Sequence, residues 1–147
     1  MRNVPPLRKT LAEKATNTRI MKALRGARLD PVRVENGDTS PGTPDINFIW
    51  GWIEDKFLDH WPTRGGVVKV PHFVQEQRVW LTRRRIAGGG AWLFLQVGRE
   101  YLLFDGRTAA EVLGLTDEKT LRLAAIKVWT SGLDDSELIE CLRSTRP

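Results

Sequence analysis

Residues 42–57 read Gly-Thr-Pro-Asp-Ile-Asn-Phe-Ile-Trp-Gly-Trp-Ile-Glu-Asp-Lys-Phe (GTPDINFIWGWIEDKF). β-Branched and aromatic residues on either side of Gly51 predict two short strands joined by a tight turn, Asp45 to Trp50 and Trp52 to Leu58. Side chains alternate faces along a strand. Ile46, Phe48 and Trp50 then line one face of the first strand, and Asp45, Asn47 and Ile49 the other. In the second strand Glu54 and Lys56 share a face, and Asp55 points away from them. Two carboxylates and an ammonium converging on one spot suit a hard divalent cation such as Mg²⁺ or Mn²⁺, with a water and a phosphodiester beside it. The cation activates water and neutralises phosphate charge, and a lysine holds either of them. The competing structural reading makes Asp45 a turn residue after Pro44 and makes Glu54 and Lys56 a solvent-facing pair of opposite charges. That reading leaves the adjacent aspartate, and a polar residue on the next helix, unexplained.

That polar residue is Gln77. The segment His72 to Ile86 predicts a helix with Phe73, Gln77, Trp80, Leu81 and Arg84 on one side, so an amide interrupts an apolar stripe. A buried amide has to find hydrogen bonds. The water, Lys56 or a phosphate of the site would supply them, and nearby backbone is the alternative.

Pro44-Asp45 followed by Glu54-x-Lys56 resembles the PD-(D/E)xK nuclease superfamily. Within it the chain is most similar to the VRR-NUC branch and related small phage nucleases. The Gly-Thr-Pro-Asp entry, Gln77-Arg78-Val79-Trp80-Leu81 on the following helix, and Ala87 to Leu95 with its glycine turn add to the likeness, which covers roughly residues 10 to 105. The resemblance implies a restriction-endonuclease-like core and a Mg²⁺- or Mn²⁺-dependent endodeoxyribonuclease. Asp45, Glu54, Lys56 and Gln77 would be its catalytic residues, with Asp45 and Glu54 as metal ligands. It also implies a homodimer that cuts four-way (Holliday) junctions or other branched DNA. Related nucleases add a glutamate from the first helix, and Glu13 is the candidate; its alternative is a surface partner of Lys9 or Lys14. Glu35, on the strand beside Asp45, is the rival. The middle residue of the motif departs from the apolar pattern: Asp55 needs solvent or a partner on its own face, which points to an edge or an interface there.

The chain has 147 residues, 41% apolar and 28% charged, which fits one folded domain and not a disordered chain. Its net charge of +5 favours a polyanionic partner. A single cysteine, Cys141, and two histidines, His60 and His72, leave neither a disulfide framework nor a zinc signature. No apolar run reaches membrane-spanning length and the N-terminus lacks the apolar core of a signal peptide, so an intracellular, cytoplasmic setting is the expectation.

Elsewhere the pattern predicts a basic helix from Leu7 to Arg25, with Leu7, Leu11, Ala15, Thr18 and Met21 or Ile20 as its apolar stripe. Val32 to Glu35 reads as a strand and residues 59–71 as a loop. Ala91 to Val97 reads as a doubly covered central strand, with Glu100 to Phe104 as its hairpin partner. Helices are expected over Thr108–Leu113, Asp117–Trp129 and Asp134–Leu142. The outcome is an α/β fold: a central mixed sheet of about four to five strands flanked by helices in residues 1–106, with a helical C-terminal extension over 107–147 that packs on the core or at a dimer interface. DNA contacts are expected from Arg64 and Lys69 on the loop, from Arg83, Arg84 and Arg85 at the helix end, and from Lys14 and Arg19 on the first helix. Two other outcomes compete with a junction nuclease: a non-catalytic nucleic-acid-binding protein of the same fold, and a nuclease or nickase acting on ordinary duplex.

Overall fold

The computed structural model describes residues 11–34 and 40–147. Six strands form one sheet in chain order: β1 (Val32–Arg33), β2 (Ile46–Phe48), β3 (Gly51–Leu58), β4 (Ala91–Val97), β5 (Glu100–Asp105) and β6 (Lys127–Trp129). β3 and β4 run parallel and every other pair is antiparallel. Parallel neighbours need a crossover, and it contains α2 (Gln75–Ile86). The remaining helices are α1 (Leu11–Gly26), α3 (Gly106–Val112), α4 (Glu118–Ala124) and α5 (Asp135–Thr145). Among the described residues, no helix is long and apolar enough to cross a membrane.

The sheet separates two apolar layers, and β4 shows why its sequence is a continuous apolar run. Trp92 and Phe94 enter the layer made with α1 and α5, beside Ile20, Leu24, Ile53, Leu138 and Leu142. Leu93, Leu95 and Val97 enter the layer made with α2, α3 and α4, beside Trp80, Leu81, Leu113 and Leu121. A strand covered on both faces has no polar alternate position to spare. The β2–β3 turn lies hard against the start of β4: a Cβ on Gly51 would meet the Gly90 carbonyl oxygen at 2.1 Å, and Gly51 has φ +148.

The mixed α/β sheet is the expected one, with a sixth strand added at its edge, and two expectations change. The helix expected from Asp117 to Trp129 stops at Ala124, because Ile126 donates its amide to Leu103 O at 2.7 Å and the chain continues as β6 on the open edge of β5. Unpaired edge groups favour an extended partner over another helical turn. The buried face of α1 keeps only the end of the expected stripe: Leu11, Ala15 and Thr18 are exposed, while Ile20 and Met21 are buried together with Glu13, Thr16, Asn17, Ala23 and Leu24. Leu7, Lys9 and Glu35 lie outside the described residues.

Candidate active site

The buried face of β2 and β3 toward α2 carries the candidate chemistry. Glu54, Asp55 and Lys56 are 1%, 0% and 3% exposed, in the middle of a sheet. Glu54 Oε1 and Lys56 Nζ are 3.2 Å apart. Lys56 Nζ also donates to the carbonyl oxygen of His72 at 2.9 Å. His72 has φ +66, a conformation rare for a non-glycine residue, and is one of the residues between the loop and α2.

Gln77 links the helix to this pair. Its Oε1 accepts the amide of Val74, the residue before the helix, at 3.0 Å. Its Nε2 donates to Glu54 Oε1 at 3.1 Å. The first bond satisfies one of the donors that a helix start leaves open and fixes which way the amide points. Gln77 is thus the polar interruption of an apolar stripe for two reasons, a cap and a contact to the carboxylate. The expected helix from His72 begins at Gln75, and the residues before it form the turn that presents the His72 carbonyl.

Asp45 enters from the neighbouring strand. The pairing Ile46↔Ile53 sets Asp45 opposite Glu54 in the antiparallel register, so the two carboxylates belong to the same sheet face. Asp45 Oδ2 accepts the backbone amide of Asp55 at 2.9 Å, and its own carbonyl accepts the Val34 amide at 2.9 Å. The approach loop is pressed onto α2: a Cβ on Gly42, at φ +83, would stand 2.2 Å from the Glu76 carbonyl oxygen. Only glycine fits that approach, and it brings the Pro44-Asp45 entry against the helix that carries Gln77. Glu54, Lys56 and Gln77 are thus in contact, and Asp45 stands opposite Glu54 on the neighbouring strand.

Asp55 corrects an expectation. Its face is neither an edge nor an open interface: Asn17 of α1 donates Nδ2 to Asp55 Oδ2 at 2.8 Å, and both side chains are buried. One residue nearer the start of α1, Thr16 bonds Gln96 of β4 at 2.6 Å. Asn17, Thr16, Gln96 and the His72 carbonyl were not singled out in the sequence. The signal was present in α1, where residues 13, 16, 17, 20 and 24 fall at helical spacing. Its first half is polar, so a search for apolar residues passes over it.

Glu13 is buried on that same face of α1. Among the described residues, no group of three or more His, Cys, Asp or Glu side chains is gathered to hold a metal ion. Asp45 and Glu54 remain as a pair of hard oxygen donors. That set fits Mg²⁺, which binds through one or two carboxylates, keeps several waters and takes phosphate oxygens from its substrate.

The basic residues divide into two groups. Lys14, Arg64, Lys69, Arg83 and Arg84 are exposed. Arg84 lies over the Trp80 ring at 4.5 Å. Arg85 is turned inward instead: it pairs with Asp105 at 3.0 Å, donates to Ala91 O and Thr145 O, and stacks on Trp92. Burial pushes its pKa down, with Asp105 opposing. Arg19 donates to Leu133 O at 3.1 Å and pairs with Asp135, joining α1 to α5. Both arginines hold the fold together, which accounts for them without a phosphate. Trp61 of the 59–71 loop is also a packing residue, under Arg122 and bonded to Glu100.

No protein-family model matches the chain, and no curated protein matches it in sequence. Among solved structures it is similar to Hjc of Archaeoglobus fulgidus, a Holliday junction resolvase from an archaeal hyperthermophile. The TM-score is 0.52 and the identity 19%, over 85% of this chain and 98% of that one. The two share a fold: a mixed sheet with helices on both faces.

Proposed function

We propose that this protein is a Mg²⁺- or Mn²⁺-dependent endonuclease acting on branched DNA, with a four-way junction as its best substrate. One observation carries the reading. Glu54 and Lys56 form a buried ion pair that half-buried Gln77 joins by a hydrogen bond to Glu54, with Asp45 opposite on the next strand, in a chain of net charge +5. A solvent-facing charge ladder would leave these groups in water. The fold it shares with a junction resolvase supports the same reading. The finer likeness to the VRR-NUC branch rests on the residues quoted from the sequence.

Asp45 and Glu54 are the groups that hold the metal, which when bound lowers the pKa of water and neutralises charge on the scissile phosphate. Lys56 positions the attacking water and stabilises the negative charge on the phosphoryl oxygens of the pentacovalent transition state. To do so it exchanges the His72 carbonyl for substrate. Gln77 keeps the Glu54 carboxylate oriented while its own oxygen caps the helix. The resemblance implies products with 5′-phosphate and 3′-hydroxyl ends. Recognition of DNA shape suits a site set in a small α/β fold, and a twofold dimer would supply paired cuts to a junction. Exposed Arg64, Lys69, Arg83, Arg84 and Lys14 are the proposed phosphate contacts.

The test is cleavage of single strand, duplex, flap and four-way junction with Mg²⁺, Mn²⁺ or chelator. Cutting of the junction in metal, and none in chelator, is the expected result; metal-independent or absent cutting of all four removes the proposal. The near-complete burial of Glu54 and Lys56 favours a second reading, a DNA-binding protein that keeps the fold without catalysis. Salt-dependent junction binding without Mg²⁺ uptake in calorimetry would select it.

A further inference from the structure

The C-terminal ends of α2 and α5 meet at the tip of the β2–β3 hairpin. Arg85 of α2 donates to the Thr145 carbonyl of α5 at 3.1 Å, and Trp92 Nε1 donates to the Thr145 hydroxyl at 2.9 Å. On the α2 side, exposed Arg84 stacks on Trp80 at 4.5 Å and reaches Trp52 at 5.9 Å. On the α5 side, two arginines share one indole: Arg143 and Arg146 lie 5.6 and 4.9 Å from the Trp50 ring. Beside Trp50 at the tip, Ile49 is 69% exposed. Glu140 pairs with Arg143 at 2.6 Å, and among the described residues no ion pair involves Arg84 or Arg146.

A guanidinium held over an indole by the ring's negative face can still offer N–H donors to a phosphate oxygen. Stacking also restricts a long side chain before it meets a ligand, which lowers the entropy lost on binding. Arg143, Arg146 and Trp50 take no part in the Asp45–Glu54–Lys56–Gln77 cluster. They continue the Arg84 end of α2 around the hairpin tip, tied to it through Arg85.

We infer that this arginine–tryptophan ridge is a second nucleic-acid contact, which grips the sugar-phosphate backbone of a DNA arm away from the scissile phosphate. The inference rests on the nucleic-acid half of the proposed function and not on the hydrolysis.

The experiment is an anisotropy titration of a fluorescein-labelled four-way junction in chelator, across a salt series, with wild type, Arg143→Ala/Arg146→Ala and the single variant Arg146→Glu. Thermal melting checks that the variants fold; the single change near the chain end guards against failure of the double variant to fold. The double variant is expected to bind about tenfold more weakly near 0.1 M salt, with the slope of log K against log salt reduced by about two, one unit for each arginine that no longer neutralises a phosphate. Arg146→Glu is expected to weaken binding as well. Folded variants that match wild type in affinity and slope overturn the ridge while leaving the nuclease reading standing. A wild-type protein that does not bind the junction overturns both.

Discussion

The backbone amide of Asp55 donates to Asp45 Oδ2 at 2.9 Å, so the middle residue of Glu54-Asp55-Lys56 orients a carboxylate on the neighbouring strand. Its own side chain is held from the opposite face by Asn17. The residue that departs from the apolar pattern thus ties three elements, α1, β2 and β3, at the level of the candidate site. Replacing Asp45 with Asn keeps an oxygen for the Asp55 amide and removes the charge. Asp45→Asn is expected to lose about 1 kcal/mol of stability or less, while metal-dependent junction cleavage falls at least a hundredfold. Urea denaturation and a cleavage time course measure the two separately, and wild-type turnover in the variant would remove Asp45 from the metal site.

Lys56 and Glu54 test chemistry against stability. Lys56→Ala takes the ammonium away from a buried carboxylate, a change that costs about 3 kcal/mol or more in comparable buried pairs. Lost activity in that variant alone would therefore be ambiguous. The double variant Glu54→Gln/Lys56→Met removes both charges, and apolar or neutral replacement of a whole buried pair is often nearly neutral. We expect the double variant to recover most of the stability lost by Lys56→Ala and none of the cleavage. Recovery of both would make the pair purely structural.

Asn17 has no place in the proposed chemistry, yet its substitution should be felt. Asn17→Leu leaves the Asp55 carboxylate without its Nδ2 donor inside the α1 layer. Removing one partner of a buried hydrogen bond to a charged group costs about 1–3 kcal/mol. Asp55→Asn, in contrast, keeps an oxygen to accept from Asn17. Denaturant midpoints should therefore fall clearly for Asn17→Leu and little for Asp55→Asn; equal losses would show that charge, and not the hydrogen bond, holds α1 to β3.

Much of this arrangement was legible because period two and turn chemistry are local signals. Alternation placed Glu54 and Lys56 on one face, Gly51 marked the turn, and Gln77 stood out as an amide in an apolar stripe. The apolar run Ala91–Leu95 at the start of β4 announced burial on both faces. The features that escaped depend on partners distant in sequence. The buried face of α1 begins with Glu13, Thr16 and Asn17; Gln96 and Asp55 stand opposite the last two and make them tolerable there. β6 exists because β5 had an open edge, which no window around residues 127–129 reveals. Arg85 looks like its two neighbours in a basic run, and only Asp105, Ala91 and Thr145 turn it inward.

The Glu100–Arg122 pair gives the fold a pH dependence of known sign. The hydrogen bond from Arg122 holds the Glu100 carboxyl below the usual glutamate range, against the opposing effect of burial, with the Arg122 charge and the Trp61 N–H adding to the lowering. The pair distance is 2.7 Å, and Arg122 also engages Glu118 at 2.9 Å. A carboxyl whose folded pKa is depressed binds its proton more readily in the unfolded chain. Its stabilisation is therefore complete above the unfolded value, about 4.3, and disappears as pH falls through the lower folded value. Both side chains keep partial contact with water, so the contribution belongs to the surface-pair range of about 1 kcal/mol or less. Glu100→Gln should thus be less stable than wild type by up to that amount at neutral pH, and the gap should close as the solution is acidified below about pH 4. Urea midpoints of the two proteins from neutral to acid pH measure it. A gap that widens on acidification would mean that Glu100 is stabilised in its protonated form, the opposite of what its contact with Arg122 dictates.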